Sequence, residues 1–332
     1  MGEMNINPHH KYHQNNISKT VDRFRQDILL DLGSNPKKLS SKYFYDKIGD
    51  ELFQKIMNME SYYLTNCELD IFKTKTAQIA DFIRPNNEPF DLIELGAGDA
   101  MKSSYLLQYL VDQGATFSFM PIDISGNILS VLKNKLNDSI PNLEIICLKG
   151  EYFEMIDQAT TLSSRRKVVL FLGSNIGNME YEQALQFCSE LKDKLSAGDY
   201  LLIGFDLKKH PKTILQAYDD RTGITASFNL NLLKRINQEL DADFDISQFE
   251  HYQTYDPSTG ACRSYLISLI NQQVTIGEYQ IPFYENEAIF MEISQKFSPE
   301  DIHDLARESG FVTVTELYDT KKWFMDAIWK VS

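Results

Sequence analysis

Glu94, followed by Gly96 and Gly98, closes an apolar stretch that opens at Asp91, and a helix is expected from about Met101. Closely spaced glycines let a backbone approach a ligand, and a helix N-terminus beyond them offers unpaired amides. This is where an α/β protein holds a nucleotide-like cofactor. A dinucleotide fingerprint, G-x-G-x-x-G, would need a third glycine where Met101 stands, so a dehydrogenase is disfavoured. Further candidates stand where the other expected strands stop. Asp123 can accept both hydroxyls of a ribose. Glu151 can take the amino group of a base, and Tyr152 can flank its ring. Lys102, in the first turn of a helix, suits the helix dipole poorly and a ligand carboxylate well. The fourth stop, Phe171 to Asn178, is made of small and amide residues that leave a gap, and Asn178 offers a donor and an acceptor without charge.

Elements at regular intervals must carry these groups. From Phe90 strands alternate with helices, which indicates a mostly parallel sheet. Strands are expected at 90–95, 117–123, 143–148, 167–172 and 199–205, with helices at about 101–113, 126–137, 152–158 and 180–195. Before them, Val21, Phe24, Ile28 and Leu32 recur at helical spacing, a second helix runs from about Asp46 to Met57, and Thr65-Asn66-Cys67-Glu68 reads as a capping box opening a third that Arg84-Pro85 closes. After Asp206 come helices at about 211–218 and 225–240, then segments rich in β-branched and aromatic residues from 248 to 296 with a hairpin turn at Asp256 to Gly260. Ser298-Pro299-Glu300-Asp301 starts a last helix, Gly310 stops it, and strands at about 311–317 and 323–331 follow. The layout implies a flexible tail over 1–18, a cofactor-binding domain of 67–206 with 297–332, and a second domain of 19–66 with 207–296. The active site is expected in a cleft between the two.

Composition narrows the partners. Thirty-three basic against 47 acidic residues give a formal charge of −14, which repels polyphosphate and argues for a small neutral or cationic substrate rather than nucleic acid. No apolar run approaches the length of a membrane span, and the amino terminus lacks an apolar leader, so a cytoplasmic protein is expected. Cys67, Cys147, Cys188 and Cys262 are far apart without a Cys-x-x-Cys pair, and the histidines near the amino terminus show no ligand spacing, so no metal is expected. No long apolar stripe is left over once the core is assigned, so a monomer is the default.

Glu-x-Gly-x-Gly resembles the first motif of class I S-adenosylmethionine-dependent methyltransferases, and the Asp-Pro-Pro-Tyr of DNA adenine methyltransferases is missing at the fourth strand. Longer runs extend the likeness: Tyr43-Phe44-Tyr45-Asp46 with Gly49-Asp50-Glu51-Leu52-Phe53, Tyr62-Tyr63, Phe171 to Asn178, Ala217-Tyr218-Asp219-Asp220, Phe228-Asn229, Asp243-Phe244-Asp245, Phe249-Glu250-His251 and Glu292-Ile293-Ser294. From about residue 36 to the end the chain resembles the histidine-specific N-α-methyltransferases of ergothioneine biosynthesis.

The resemblance implies a doubly wound, Rossmann-like sheet of seven strands with an antiparallel last strand, and a second α+β domain that binds substrate. It implies three methyl transfers from S-adenosylmethionine to the α-amino group of L-histidine, giving hercynine. Carried over, Gly96, Lys102, Asp123, Glu151 and Tyr152 hold the cofactor. Asn178 and Tyr218 hold the substrate carboxylate, Tyr45 and Asn178 steer the amine, and Tyr62, Glu292 and Ser294 grip the imidazole. The chain departs from the family at Glu151, where aspartate is usual, at Asp99, at Leu64-Thr65-Asn66, and at Ser264, where relatives carry methionine near the imidazole. Another small amine as substrate, or a homologue that binds without turnover, are the alternatives to histidine methylation.

Overall fold

The computed structural model describes residues 21–84 and 86–332. The expected tail at 1–18 and the stop at Pro85 lie outside the described residues. The chain divides into two compact units. The first takes the described residues up to Tyr62 with Pro211–Tyr255 and Cys262–Glu292, and the second takes Tyr63–His210, Asp256–Ala261 and Ile293–Ser332.

Numbered along the chain, the first unit holds α1 (residues 21–32), β1 (Lys37–Lys38), α2 (Lys47–Met57), α9 (Pro211–Tyr218) and α10 (Ile224–Leu240). Its strands are β7 (Phe249–Asp256), β8 (Ala261–Ser268), β9 (Gln272–Ile276), β10 (Tyr279–Phe283) and β11 (Ala288–Gln295), whose last three residues count with the second unit. A four-stranded sheet in the order β1-β11-β8-β7 and the hairpin β9-β10 pack with the helices around Phe24, Phe44, Phe228, Leu232, Phe249 and Phe283. β8 reads buried-intermediate in alternation from Cys262 to Ser268, as a strand with one face on a core should.

The second unit opens with α3 (Tyr63–Thr74) and α4 (Thr76–Ile83) and then alternates: β2 (Phe90–Leu95), α5 (Ser103–Asp112), β3 (Phe117–Asp123), α6 (Gly126–Ser139), β4 (Leu148–Lys149), α7 (Tyr152–Leu162), β5 (Arg166–Phe171), α8 (Tyr181–Lys194), β6 (Tyr200–Asp206). It ends with α11 (Pro299–Glu308), β12 (Phe311–Tyr318) and β13 (Phe324–Val331). The seven strands order as β12-β13-β6-β5-β2-β3-β4. β2 to β6 pair in parallel, and β13 runs antiparallel to β6 and β12. This is the seven-stranded, doubly wound α/β sheet expected from the sequence. Every residue of β2 is buried, as helices on both faces of a parallel sheet require. β2 lies between β3 and β5, so the chain leaves its two sides in opposite directions and a crevice opens beyond its carboxyl end.

Two local expectations fail. The third helix starts at Tyr63, not at a Thr65 cap, and breaks at Lys75 into α3 and α4. Glu68 caps nothing, because its carboxylate is drawn into the interior by the partners described below. The strand expected over 143–148 is reduced to Leu148–Lys149 and one isolated bridge, Phe119 with Ile145, as befits a sheet edge supported from one side. The last helix start stands as read: Ser298 Oγ accepts from the Asp301 amide and the Asp301 carboxylate accepts from that of Ser298. No helix among the described residues is long and apolar enough to cross a membrane.

Candidate active site

The turn after β2 is tight enough to demand its glycines. Gly96 has φ +66° and Gly98 φ +52°. A methyl group added at Gly96 would come within 2.8 Å of Tyr152 Oη, whereas one at Gly98 would meet nothing within 4 Å. The loop is thus closed on the side of Tyr152 and open above Gly98. Glu94 is buried beneath it and accepts from Ser103 Oγ at 2.7 Å, tying the strand end to the first turn of α5. Burial pushes the Glu94 carboxyl up to about 7, against the pull of Ser103 and Lys102. Asp123, at the end of β3, accepts from the Ser125 amide at 2.9 Å. Burial raises its pKa, and the amides of Ser125, Gly98 and Ile124 oppose the shift. Asp123 therefore steadies the glycine turn from the neighbouring strand.

Glu151 is exposed at the start of α7, and Tyr152 next to it is largely enclosed. Burial, then the charges of Asp123 and Glu151, push the Tyr152 hydroxyl up to about 12, so it stays protonated at physiological pH. Its hydroxyl sits against Gly96, so the structure brings Tyr152 to the first loop.

Lys102 Nζ is paired with Glu68, a fully buried carboxylate of α3 whose two oxygens also accept from the Gly173 amide at 2.8 and 2.9 Å. Glu68 thereby links the helix after β2 to the loop after β5. A methyl group at Gly173 would lie 3.4 Å from Lys102 Nζ and 3.6 Å from Asn175 Nδ2, so these groups share one small space. Asn178 ends the 3₁₀ turn Asn175–Asn178 and is exposed. That turn is held from below. Ser174 adopts φ +56° and its Oγ accepts from the Asp206 amide at 3.1 Å, while Gly177 packs so closely that a methyl there would meet Gln295 O at 2.9 Å.

Asp206, the last residue of β6, is fully buried and compensated threefold. Tyr63 Oη donates to it at 2.9 Å, Lys296 Nζ pairs with its Oδ2 at 2.8 Å, and Lys209 pairs with its Oδ1. Burial lowers the pKa of Lys209 although Asp206 pulls it up. Lys296 Nζ also donates to Ser294 Oγ at 2.7 Å. Sequence reading missed Glu68, Asp206 and Lys296. Their partners are remote in sequence, and the only signal open to inspection was a set of charges in otherwise apolar stretches.

The candidates of the first unit are held by their own local chemistry. Asp46 caps α2 by accepting from the Gly49 amide at 2.6 Å and accepts from Asn231 Nδ2 at 2.9 Å, which fixes the loop carrying Tyr45. Gly49 is obligatory there, because a methyl would overlap Phe44 O. Tyr45 is 45% exposed and rests edge-on against Phe53 and Phe228, with centroids 5.5 and 5.8 Å away. Tyr62 and Tyr218 meet edge to face at 5.9 Å. Asp220, close to Tyr218, accepts from the amides of Ile224 and Thr225 at the head of α10. Burial would raise its pKa, but the Thr222 hydroxyl and these amides bring it down to about 2. Glu292 and Ser294 are two residues apart on β11 and share a face by alternation. Ser264 is buried and donates to Gln253 Oε1 at 2.6 Å, so its hydroxyl is engaged inside the unit.

A doubly wound sheet of this order, with an acid and two glycines at its switch point, defines the class I methyltransferase fold. The profile of the S-adenosylmethionine-dependent histidine-specific methyltransferases matches residues 24–331, and the chain belongs to that family. Histidine N-alpha-methyltransferase of Mycolicibacterium smegmatis is 33% identical over 292 residues, covering 87% of this chain and 89% of the relative. Its namesake in Mycobacterium tuberculosis is 33% identical over 280 residues, 84% and 85% of the two chains. Ergothioneine biosynthesis protein 1 of Schizosaccharomyces pombe is 29% identical over 289 residues, which is 85% of this chain and 37% of that one. The residues present fit the family's cofactor: an open glycine turn, an acid at the end of the second strand of the sheet, and a lysine, Lys102, at the N-cap of α5 rather than in its first turn.

Proposed function

We propose that the protein transfers methyl groups from S-adenosylmethionine to the α-amino group of L-histidine, yielding hercynine by three successive transfers. The observation that carries this reading is membership of the histidine-specific family across residues 24–331, together with the open glycine turn after Glu94. In this reading the sheet unit takes the cofactor, through Gly96, Lys102, Asp123, Glu151 and Tyr152. Asp123 faces the ribose, Glu151 the amino group of the adenine and Tyr152 its ring. The amino acid is recognised through Tyr45, Tyr62, Asn178, Tyr218, Glu292 and Ser294.

When bound, the cofactor supplies a methyl group already activated by a sulfonium, so the protein's own share is alignment, exclusion of water and disposal of a proton. Asn178 and Tyr45 orient the amine as neutral hydrogen-bonding groups and do not act as strong bases. Tyr218 and Asn178 hold the substrate carboxylate. Glu292 accepts the imidazole N–H, and a carboxylate placed to accept that hydrogen discriminates against side chains that cannot donate it. The formal charge of −14 is consistent with a small zwitterionic substrate and disfavours a polyanionic one.

The test is incubation of the purified protein with S-adenosylmethionine and each of the twenty amino acids in turn, read by mass spectrometry. Three added methyl groups on histidine alone are expected. Methylation of a different amine with histidine untouched would overturn the assignment of substrate, and cofactor binding without any product would overturn the assignment of activity.

A further inference from the structure

Gly204 stands inside β6, a strand buried at every residue, and a glycine in a strand interior marks the close approach of another group. A methyl group there would overlap Glu68 Oε1 and come within 3.1 Å of Asp326 Oδ1. Asp326 is the partner of Gly204 across the antiparallel pair of β13 and β6, so the two share a face of the sheet. Two fully buried carboxyl groups, one from α3 and one from β13, thus converge on the space that Gly204 leaves. They are unequally supplied with donors. Glu68 Oε2 accepts from Lys102 and, at 2.9 Å, from the Gly173 amide, whereas Oε1 accepts from that amide alone, at 2.8 Å. Neither oxygen of Asp326 meets a hydrogen-bond donor among the described residues. An ionised carboxylate buried without a single donor is costly, whereas a neutral acid is tolerated and has one hydrogen to give. Burial, then the charge of Glu68, push the Asp326 carboxyl well above the ordinary carboxylate range, and Lys102 pulls the other way. These are the charged groups that face it, from α3 and from the head of α5; its partner on β12, Leu317, brings none.

We propose that Asp326 is a neutral acid whose hydrogen goes to Glu68 Oε1, and that this contact positions Glu68 to hold Lys102 for the carboxylate of S-adenosylmethionine. This deepens the assignment of Lys102 to the cofactor and rests on it. With the proton on Asp326, one anion and one cation remain in the cluster, and an arriving carboxylate meets no surplus of negative charge. A second ionised carboxyl would make the place repel the group it has to bind. Lys102, whose side chain is 20% accessible, stays within reach of a ligand while Glu68 holds it from the interior. Asp326 is a positioning residue, since it acts through Glu68.

The test joins a spectrum to a binding measurement. In wild-type protein with its aspartates isotopically labelled at the carboxyl carbon, the infrared C=O band of a neutral acid should be present at pH 7.5. It should move with the label and vanish in Asp326→Asn, and absence of such a band overturns the proposal. Calorimetric titration then compares S-adenosylhomocysteine with methylthioadenosine, which lacks the carboxylate. Asp326→Leu leaves Glu68 Oε1 with the Gly173 amide alone, so S-adenosylhomocysteine should bind about tenfold more weakly and methylthioadenosine within about twofold of the wild type. Asp326→Asn keeps a neutral donor and should hold both ligands within about twofold. Asp326→Ala serves if the leucine variant does not fold. Undiminished S-adenosylhomocysteine binding in Asp326→Leu, an equal loss of both ligands, or a loss in Asp326→Asn as large as that in Asp326→Leu overturns the proposal. Lys102→Met separates it from the reading beneath: unchanged S-adenosylhomocysteine affinity in that variant would remove Lys102 from the cofactor, and with it the foundation as well as the inference, even with the acid band present.

Discussion

Both ends of the central sheet bury a lysine against an aspartate, and the two arrangements differ in what they leave over. At the amino end, Lys167 reaches Asp91 Oδ2 at 2.9 Å and spends its other hydrogens on Ser163 O at 2.7 Å and Arg165 O at 2.6 Å. The lysine is thereby spent on the frame of the sheet, and Asp91 Oδ1 meets only the charge of Arg165, at 3.9 Å. At the carboxyl end, Lys296 divides its hydrogens between Asp206 and Ser294, and Glu68 divides its oxygens between Lys102 and the Gly173 amide. There the buried charges act on residues of the loops and strand ends where an α/β sheet binds its ligands. The same ion-pair chemistry serves to fasten strands in one place and to aim side chains in the other.

The contrast can be broken most forcefully at the amino end. Lys167→Met leaves Asp91 buried without its cation and should lower unfolding free energy by roughly 3–5 kcal/mol, with kcat/KM of the folded fraction unchanged. Denaturant titration and initial rates read the two effects, and a fall in kcat/KM at full occupancy of the folded state would erase the distinction between the ends.

A second test uses pH. The Glu94 carboxyl stands at about 7 in the folded protein against an ordinary value of 4.5. Between those values the folded state holds a proton that the unfolded state has released, so stability falls as pH rises through the window and is lowest above about 7. Glu94→Gln removes the cost of ionising the buried acid. It should gain on the wild type by up to about 3 kcal/mol at pH 8 and by little at pH 4.5. A wild type and variant whose unfolding curves differ equally at both pH values would show that Glu94 does not titrate in this range.

The smallest expected effect lies at Glu68. Glu68→Gln can still accept from the Gly173 amide but no longer offers charge to Lys102, so S-adenosylhomocysteine should bind about tenfold more weakly while thermal stability moves little. Unchanged affinity would make Glu68 a fastening residue like Asp91.

What could be read in advance follows the range of the interactions. The strand and glycine turn at Phe90 to Gly98, the cap at Ser298 and the helix over Pro211–Tyr218 are written in contiguous residues, and they stand where the sequence placed them. Thr65 to Glu68 carried the same kind of local signal and misled, because a pull from Lys102 and Gly173, 34 and 105 residues away, outweighed a surface cap. Lys296 was illegible for the same reason: its meaning comes from Asp206, at the end of a strand far earlier in the chain. β4 fell short because alternation reports a strand's own preference and not how many neighbours it will have.

The most direct measurement is a crystal structure of the wild type with S-adenosylhomocysteine and L-histidine bound together. The expected result is the ribose against Asp123, the ligand over the turn at Gly96 to Gly98, and the imidazole against Glu292 and Ser294. An imidazole bound away from Glu292 and Ser294, or a ribose held elsewhere than at Asp123, would contradict it.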